Sequence, residues 1–248
     1  MCCFVIKSVT ASQFIWKFKR CNNDPMQNFL IPLIDKVKNR IKTSRLFWSF
    51  RHLVDRKVWD QYFNDHASER RNFYSDFVVK HSIKSVFEFG CASGPNLENI
   101  RRRTPGVVLL LGYDINKAAL GVARQKIGSS NAIFINQLSV SAIKGELQKH
   151  QQGRIGLTIF DRVLYLLSER EIDNFLSNYS DFFEWVVVDD FHSDDGQLSN
   201  DAYSSKDYKK CFMKFNFSLV SIQKSGHLAA EEFFEKSAKR LIFKRNTV

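Results

Sequence analysis

The stretch Ser85–Ile100, SVFEFGCASGPNLENI, reads as a buried strand, a tight turn and the start of a helix. Val86–Phe89 is apolar apart from Glu88, and the run stops at Gly90. Glycine turns the backbone sharply because positive φ costs it nothing. Ala92 and Gly94 keep the loop thin, so a bound group can touch the main chain. Pro95 suits a first helical turn, where its missing N–H is not needed. The N–H groups of such a turn attract an anionic group. Glu88, two residues ahead of the turn, adds the opposite demand: a carboxylate there asks for a cation.

Outward from this turn the text alternates. Strands are expected at Val86–Phe89, Val107–Tyr113, Ala132–Asn136, Leu157–Asp161 and Trp185–Asp189. Helices are expected between them at Asn96–Arg103, Asn116–Ile127, Ser139–Lys149 and Ser168–Asn178. Such alternation specifies βαβ units and a mainly parallel sheet with helices on both faces. Two late runs, Phe215–Gln223 and Arg240–Lys244, lack a long helix between them and read as a hairpin at the sheet edge.

The front of the chain has a different pattern. Phe29, Leu30, Leu33, Ile34, Val37 and Ile41 recur at helical spacing, and Leu46, Phe47, Phe50, Leu53, Val54 and Trp59 continue it after Thr43-Ser44, a plausible cap. Phe73, Phe77 and Val78 suggest a further short helix. The expected organisation is a basic helical extension or cap over 1–74 and an α/β domain over 75–248.

The chain has 248 residues, 44% of them hydrophobic, with 23 Phe and a net charge of +11. Residues 1–60 carry 12 Lys/Arg against 4 Asp/Glu. A basic front steers toward nucleic acid, anionic lipid or an acidic substrate, but charge alone names no partner. Contact of these helices with a membrane surface is one reading, and a cap packed on the main domain is the other. Five cysteines with no C-x-x-C pair argue against a disulfide framework and a structural zinc site. They fit a reducing, cytoplasmic setting. Adjacent Cys2 and Cys3 leave acylation open, and the acid-free run 1–23 leaves a transit peptide open. The apolar run Val107–Leu111 is far too short to span a bilayer.

Two cofactor classes use a strand–turn–helix of this shape. A dinucleotide wants G-x-G-x-x-G, and Ala92 and Pro95 break that pattern. S-adenosylmethionine has no pyrophosphate but carries an ammonium, which Glu88 can meet. Both cofactors contain ribose, and an acid at the end of the second strand can accept its hydroxyls. Asp114, in LLGYDINKAAL, stands there; its alternative role is a helix cap.

FEFGCASGPNL followed by GYDINKAAL resembles the first two motifs of class I S-adenosylmethionine-dependent methyltransferases, and the likeness in order runs through about 75–248. The resemblance implies a Rossmann-like three-layer sandwich with a seven-stranded sheet whose last strand is antiparallel. It implies cofactor contacts at Glu88, Gly90, Ala92, Gly94 and Asp114, with Ile115 against the adenine. Asn136 or Gln137, in FINQLS, takes the place of the family's adenine-contacting Asp. The stretch IFDRVLYLLSEREIDNFL resembles the segment beside the transferred methyl and puts Phe160, Asp161 and Arg162 there.

Methyl transfer is mainly a matter of positioning, although an oxygen or nitrogen acceptor also needs a base. Candidates are Asp161, Asp190 and His192, each with a bland alternative as a cap, a strand-end hydrogen-bonding group or a loop histidine. Asp161, Asp189 and Asp190 could together hold Mg²⁺ or Ca²⁺, but spacing alone does not make them converge, and no metal is expected. The acceptor is expected to be a small molecule or saccharide. RNA is an alternative, although the Asn/Asp-Pro-Pro-Tyr signature of many base N-methyltransferases is missing. A non-catalytic cofactor-binding scaffold is another. Cys91 is expected to be a small packing residue.

Overall fold

Glu88 lies in a strand whose neighbours are almost wholly apolar and buried, the pattern of a sheet covered on both faces. The computed structural model describes residues 56–196, 205–225 and 236–246. The expected helix over 29–41, the expected helical run from Leu46 to Val54 but not its last member Trp59, and Cys2, Cys3 and Cys21 lie outside these residues.

The described chain begins with helices α1 (Arg56–Asn64) and α2 (Glu69–Lys80). It continues as β1 (Ser85–Phe89), α3 (Pro95–Arg103), β2 (Leu109–Tyr113), α4 (Lys117–Ile127), β3 (Ala132–Ile135) and α5 (Val140–Lys149). Next come β4 (Ile155–Asp161), α6 (Glu169–Tyr179), β5 (Phe183–Phe191), α7 (Tyr208–Met213), β6 (Phe217–Lys224) and β7 (Ala238–Arg245). The sheet has seven strands in the order β3-β2-β1-β4-β5-β7-β6. The first five are parallel, and β7 is antiparallel to both β5 and β6. The expected Rossmann-like sandwich and edge hairpin are therefore present. Strand β5 is longer at both ends than expected, and the short α7 was not anticipated.

Strand alternation divides the core in two. Val86, Leu110, Ile159, Val187 and Ile242 face a layer containing Trp59, Phe63, Tyr74, Phe77, Leu97 and Leu120. Phe87, Leu111, Phe160, Val188 and Phe243 face a layer containing Ile143, Ile172, Leu176 and Phe212. Helices α1 and α2 thus share the core of the sheet, and the division expected after residue 74 falls inside α2. The strand order reverses between β1 and β4, and in open α/β sheets ligands bind beside that point, at the carboxyl ends of the strands.

Candidate functional site

The turn after β1 is held by its neighbour. Gly90 and Cys91 both donate backbone N–H to the Tyr113 carbonyl, at 2.7 and 3.0 Å. Three of the five residues Gly90–Gly94 are left-handed: Gly90 (φ 78°), Ala92 (φ 50°) and Gly94 (φ 81°). Ala92 is strained there, since a Cβ disfavours this region. A side chain at Gly90 would strike Val163 Cγ2 at 2.6 Å, so the β1 and β4 loops touch through a glycine. Gly94 leads straight into α3, whose first residue is Pro95. Cys91 is buried, and burial pushes its thiol well above the ordinary value, as suits a packing residue.

Asp114 stands at the mouth of β2, half-buried. Its Oδ2 accepts from Ala92 N at 2.8 Å and its Oδ1 from Asn116 N at 2.7 Å. The helix-cap role falls instead to Asn116, whose side chain accepts from Ala119 N. A carboxylate has about four lone-pair positions, and the backbone N–H groups of Ala92, Ile115 and Asn116 leave room for at least one hydroxyl. Burial raises the Asp114 carboxyl despite these donors. Ile115 and Asn136 are half-buried beside it, and Gln137 is exposed.

Glu88 is 2% exposed and faces α2 and α3. Its Oε1 accepts from Asn96 Nδ2 at 2.7 Å, and its Oε2 is buried with no hydrogen-bond partner among the described residues. Burial, reinforced by the nearby Asp161 carboxylate, pushes Glu88 up to about 8. An acid left half-satisfied in a dry place fits a group that brings a positive charge.

The three catalytic candidates occupy different settings. Asp161 ends β4 on the same face as Glu88. It accepts from Asn96 Nδ2 at 3.0 Å and pairs with Arg70 at 3.2 Å and Arg71 at 3.6 Å. Asp190 points to the opposite face and is fully buried. Its Oδ2 accepts from Val163 N and Tyr165 N, both at 3.1 Å, and its Oδ1 from Phe191 N at 2.8 Å. It therefore fastens the loop after β4, in which Arg162 is left-handed (φ 55°). Burial raises Asp190 to about 6. His192 is 4% exposed, its Nδ1 lies 3.0 Å from the Lys206 carbonyl, and its Nε2 lies 3.4 Å from Asp194 Oδ1. A carbonyl only accepts, so Nδ1 carries a proton and, in the neutral ring, Nε2 carries the lone pair.

One expectation, for Phe160, and one alternative, for the three acids, change here. Phe160 is fully buried among Phe89, Phe175 and Phe212, at ring distances of 5.7–5.9 Å, and is a core residue of the α6 face. Asp161, Asp189 and Asp190 do not converge on one point. Adjacent residues on a strand face opposite ways, and Asp189 is closed off by Arg240 (2.6 and 2.9 Å) and Ser225. Among the described residues, His192, Asp194 and Asp207 do bring ligand atoms within 4.8 Å of one another. Asp194 is exposed, however, and Asp207 Oδ1 accepts Lys210 N as the α7 cap. Arg70, Arg71 and Asn96 were not anticipated as members of the site.

The described fold is that of S-adenosylmethionine-dependent methyltransferases. Magnesium protoporphyrin IX methyltransferase from Synechocystis PCC 6803, solved with bound SAM, matches at a TM-score of 0.51 and 14% identity, over 86% of this chain and 97% of its own. The plantazolicin methyltransferase BpumL, solved with SAH and a monoazolic desmethylPZN analogue, matches at 0.53 and 14%, over 88% and 100%. An O-methyltransferase family protein from Burkholderia thailandensis matches at 0.60 and 12%, over 90% and 70%. No protein-family model matches the chain. No curated protein matches it either.

Proposed function

We propose that this protein is an S-adenosylmethionine-dependent methyltransferase acting on a small-molecule or saccharide acceptor. The observation that carries the reading is Glu88: a buried carboxylate with one oxygen unpartnered among the described residues, directly ahead of a thin left-handed loop and across from Asp114. The cofactor's ammonium would meet Glu88 Oε2, and its ribose hydroxyls would meet Asp114. The loop Gly90–Gly94, with Ile115, would line the space between. The structural neighbours solved with SAM or SAH support the same assignment.

When bound, the cofactor supplies a methyl group already activated on a sulfonium. The chain's own task is alignment and proton removal. Asp190 fixes the β4 loop by three N–H bonds and so shapes the acceptor side. Of the three catalytic candidates, His192 has the arrangement of a general base. Its Nδ1 proton is held by the Lys206 carbonyl, which would leave the Nε2 lone pair to take the acceptor's proton, and Asp194 at 3.4 Å would stabilise the imidazolium so formed. In this arrangement His192 Nε2 would receive the proton that the acceptor gives up on methylation.

Calorimetry with S-adenosylmethionine, S-adenosylhomocysteine and NAD tests the reading. Both sulfur ligands should bind, and Asp114→Ala should weaken them about tenfold or more, the worth of hydrogen bonds to a charged group. Binding of NAD with neither sulfur ligand bound would overturn it. A coupled S-adenosylhomocysteine assay over hydroxyl and amine acceptors, saccharides and RNA then identifies the acceptor. Turnover on RNA alone would replace the acceptor class.

A further inference from the structure

We infer that Asn96 is a positioning residue for the cofactor's ammonium, held by Arg71 so that it engages Glu88 Oε1 and Asp161 together and leaves Glu88 Oε2 as the oxygen that takes the charge. The inference rests on the proposed cofactor.

Asn96 is 1% exposed, at the second position of α3. Its Oδ1 accepts from Arg71 Nη1 of α2. Its Nδ2 donates to Glu88 Oε1 at 2.7 Å and to Asp161 Oδ2 at 3.0 Å. Chemistry fixes the amide in this orientation. A guanidinium cannot accept and the Asp161 carboxylate cannot donate, so a flipped Asn96 would set a donor against Arg71 and an acceptor against Asp161. Both amide protons are thereby committed, one to each carboxylate.

The charges around it are uneven. Arg71 pairs with Asp65 at 2.8 Å, and Arg70 with Asp65 at 3.3 Å and with Asp161 at 3.2 Å. Two guanidinium groups thus serve two carboxylates, Asp65 and Asp161. Glu88 is left with an amide N–H. The charged groups that act on it come from every neighbouring element: Asp161 of β4 and Asp114 after β2 disfavour its ionisation, and Arg71 of α2 favours it. The ammonium of the cofactor is the missing cation, and its arrival displaces the proton that Glu88 otherwise keeps. Asn96 supplies the hydrogen bond that steadies the carboxylate through that exchange. Through Arg71, α2 becomes part of the site.

The test is calorimetry of S-adenosylhomocysteine binding at pH 6 to 9, in buffers of different ionisation enthalpy, with melting temperatures measured alongside. Wild type should release a proton on binding near neutral pH, and Glu88→Gln should bind weakly without release. Asn96→Ala should weaken binding about tenfold or more and move the proton linkage to higher pH, because Glu88 loses its donor. Asn96→Ser, which keeps a donor, should recover part of both, and it serves if Asn96→Ala does not fold. Binding by either Asn96 variant with wild-type affinity and an unshifted pH midpoint would overturn the inference. A wild type that binds S-adenosylhomocysteine with no proton release would overturn it too, while leaving the cofactor reading intact. A wild type that binds neither sulfur ligand at any pH would overturn both.

Discussion

Asp189 and Glu88 are two buried acids on the same face of one sheet, two strands apart, and they are finished differently. Asp189 meets the guanidinium of Arg240 at 2.6 and 2.9 Å and the hydroxyl of Ser225. Arg240 is itself packed over the Phe73 ring at 3.9 Å. Among the described residues, Glu88 has one amide N–H and a bare oxygen. Asp161, on the strand between them, has Arg70 and Arg71. A buried charge that the chain neutralises itself belongs to the architecture. One that the chain leaves open costs stability and is kept only where something else completes it.

The largest effect should come from breaking the finished pair. Arg240→Ala leaves Asp189 charged and dry, and should cost about 3–5 kcal/mol of unfolding free energy in denaturant titrations. A loss under about 1 kcal/mol would mean that the two acids are not different in kind.

A middle effect concerns pH. Glu88 lies at about 8 in the folded chain against an ordinary 4.5. The stability linked to it is therefore complete below the ordinary value and is lost as pH rises through about 8. The ligand-free protein should melt lower at pH 8 than at pH 6, by up to about 1.4 kcal/mol per pH unit from this group. In Glu88→Gln that slope should vanish. An equal slope in the variant would assign it elsewhere.

The smallest effect tests the loop. Ala92→Gly relieves a left-handed alanine at φ 50° but loosens the unfolded chain. The balance should be a gain of about 0.5 kcal/mol in chemical denaturation. A clear loss would show that the Cβ packs more than it strains.

Much of this was legible in the chain. Period and punctuation located the sheet, because strands buried on both faces read as short apolar runs between turn residues. Glu88, Gly90, Gly94 and Asp114 were readable because they lie at the ends of such runs. Asn96, Arg70 and Arg71 were not. Arg71 and Asn96 are 25 residues apart, Asp161 lies 65 residues from Asn96 and 91 from Arg70, and an arginine such as Arg71 gives no sign in sequence that it will be 0% exposed. The opposed directions of Asp189 and Asp190 follow from the two-residue period of a strand. The separation of the three acids could therefore have been read once β5 was drawn through to Phe191. The short α7, YKKCFM, carries too few turns to show a period.

The contact between Gly90 and Val163 has an engineering consequence. The partition between the β1 and β4 loops is one backbone and one side chain thick. Room on one side can be enlarged only by thinning that wall. Val163→Ala would widen the passage without touching any polar group, whereas a larger residue at 90 would push the loop that Asp190 anchors. Under the proposed function, position 163 would tune the space open to an acceptor, whereas position 90 admits no added side chain without displacing Val163.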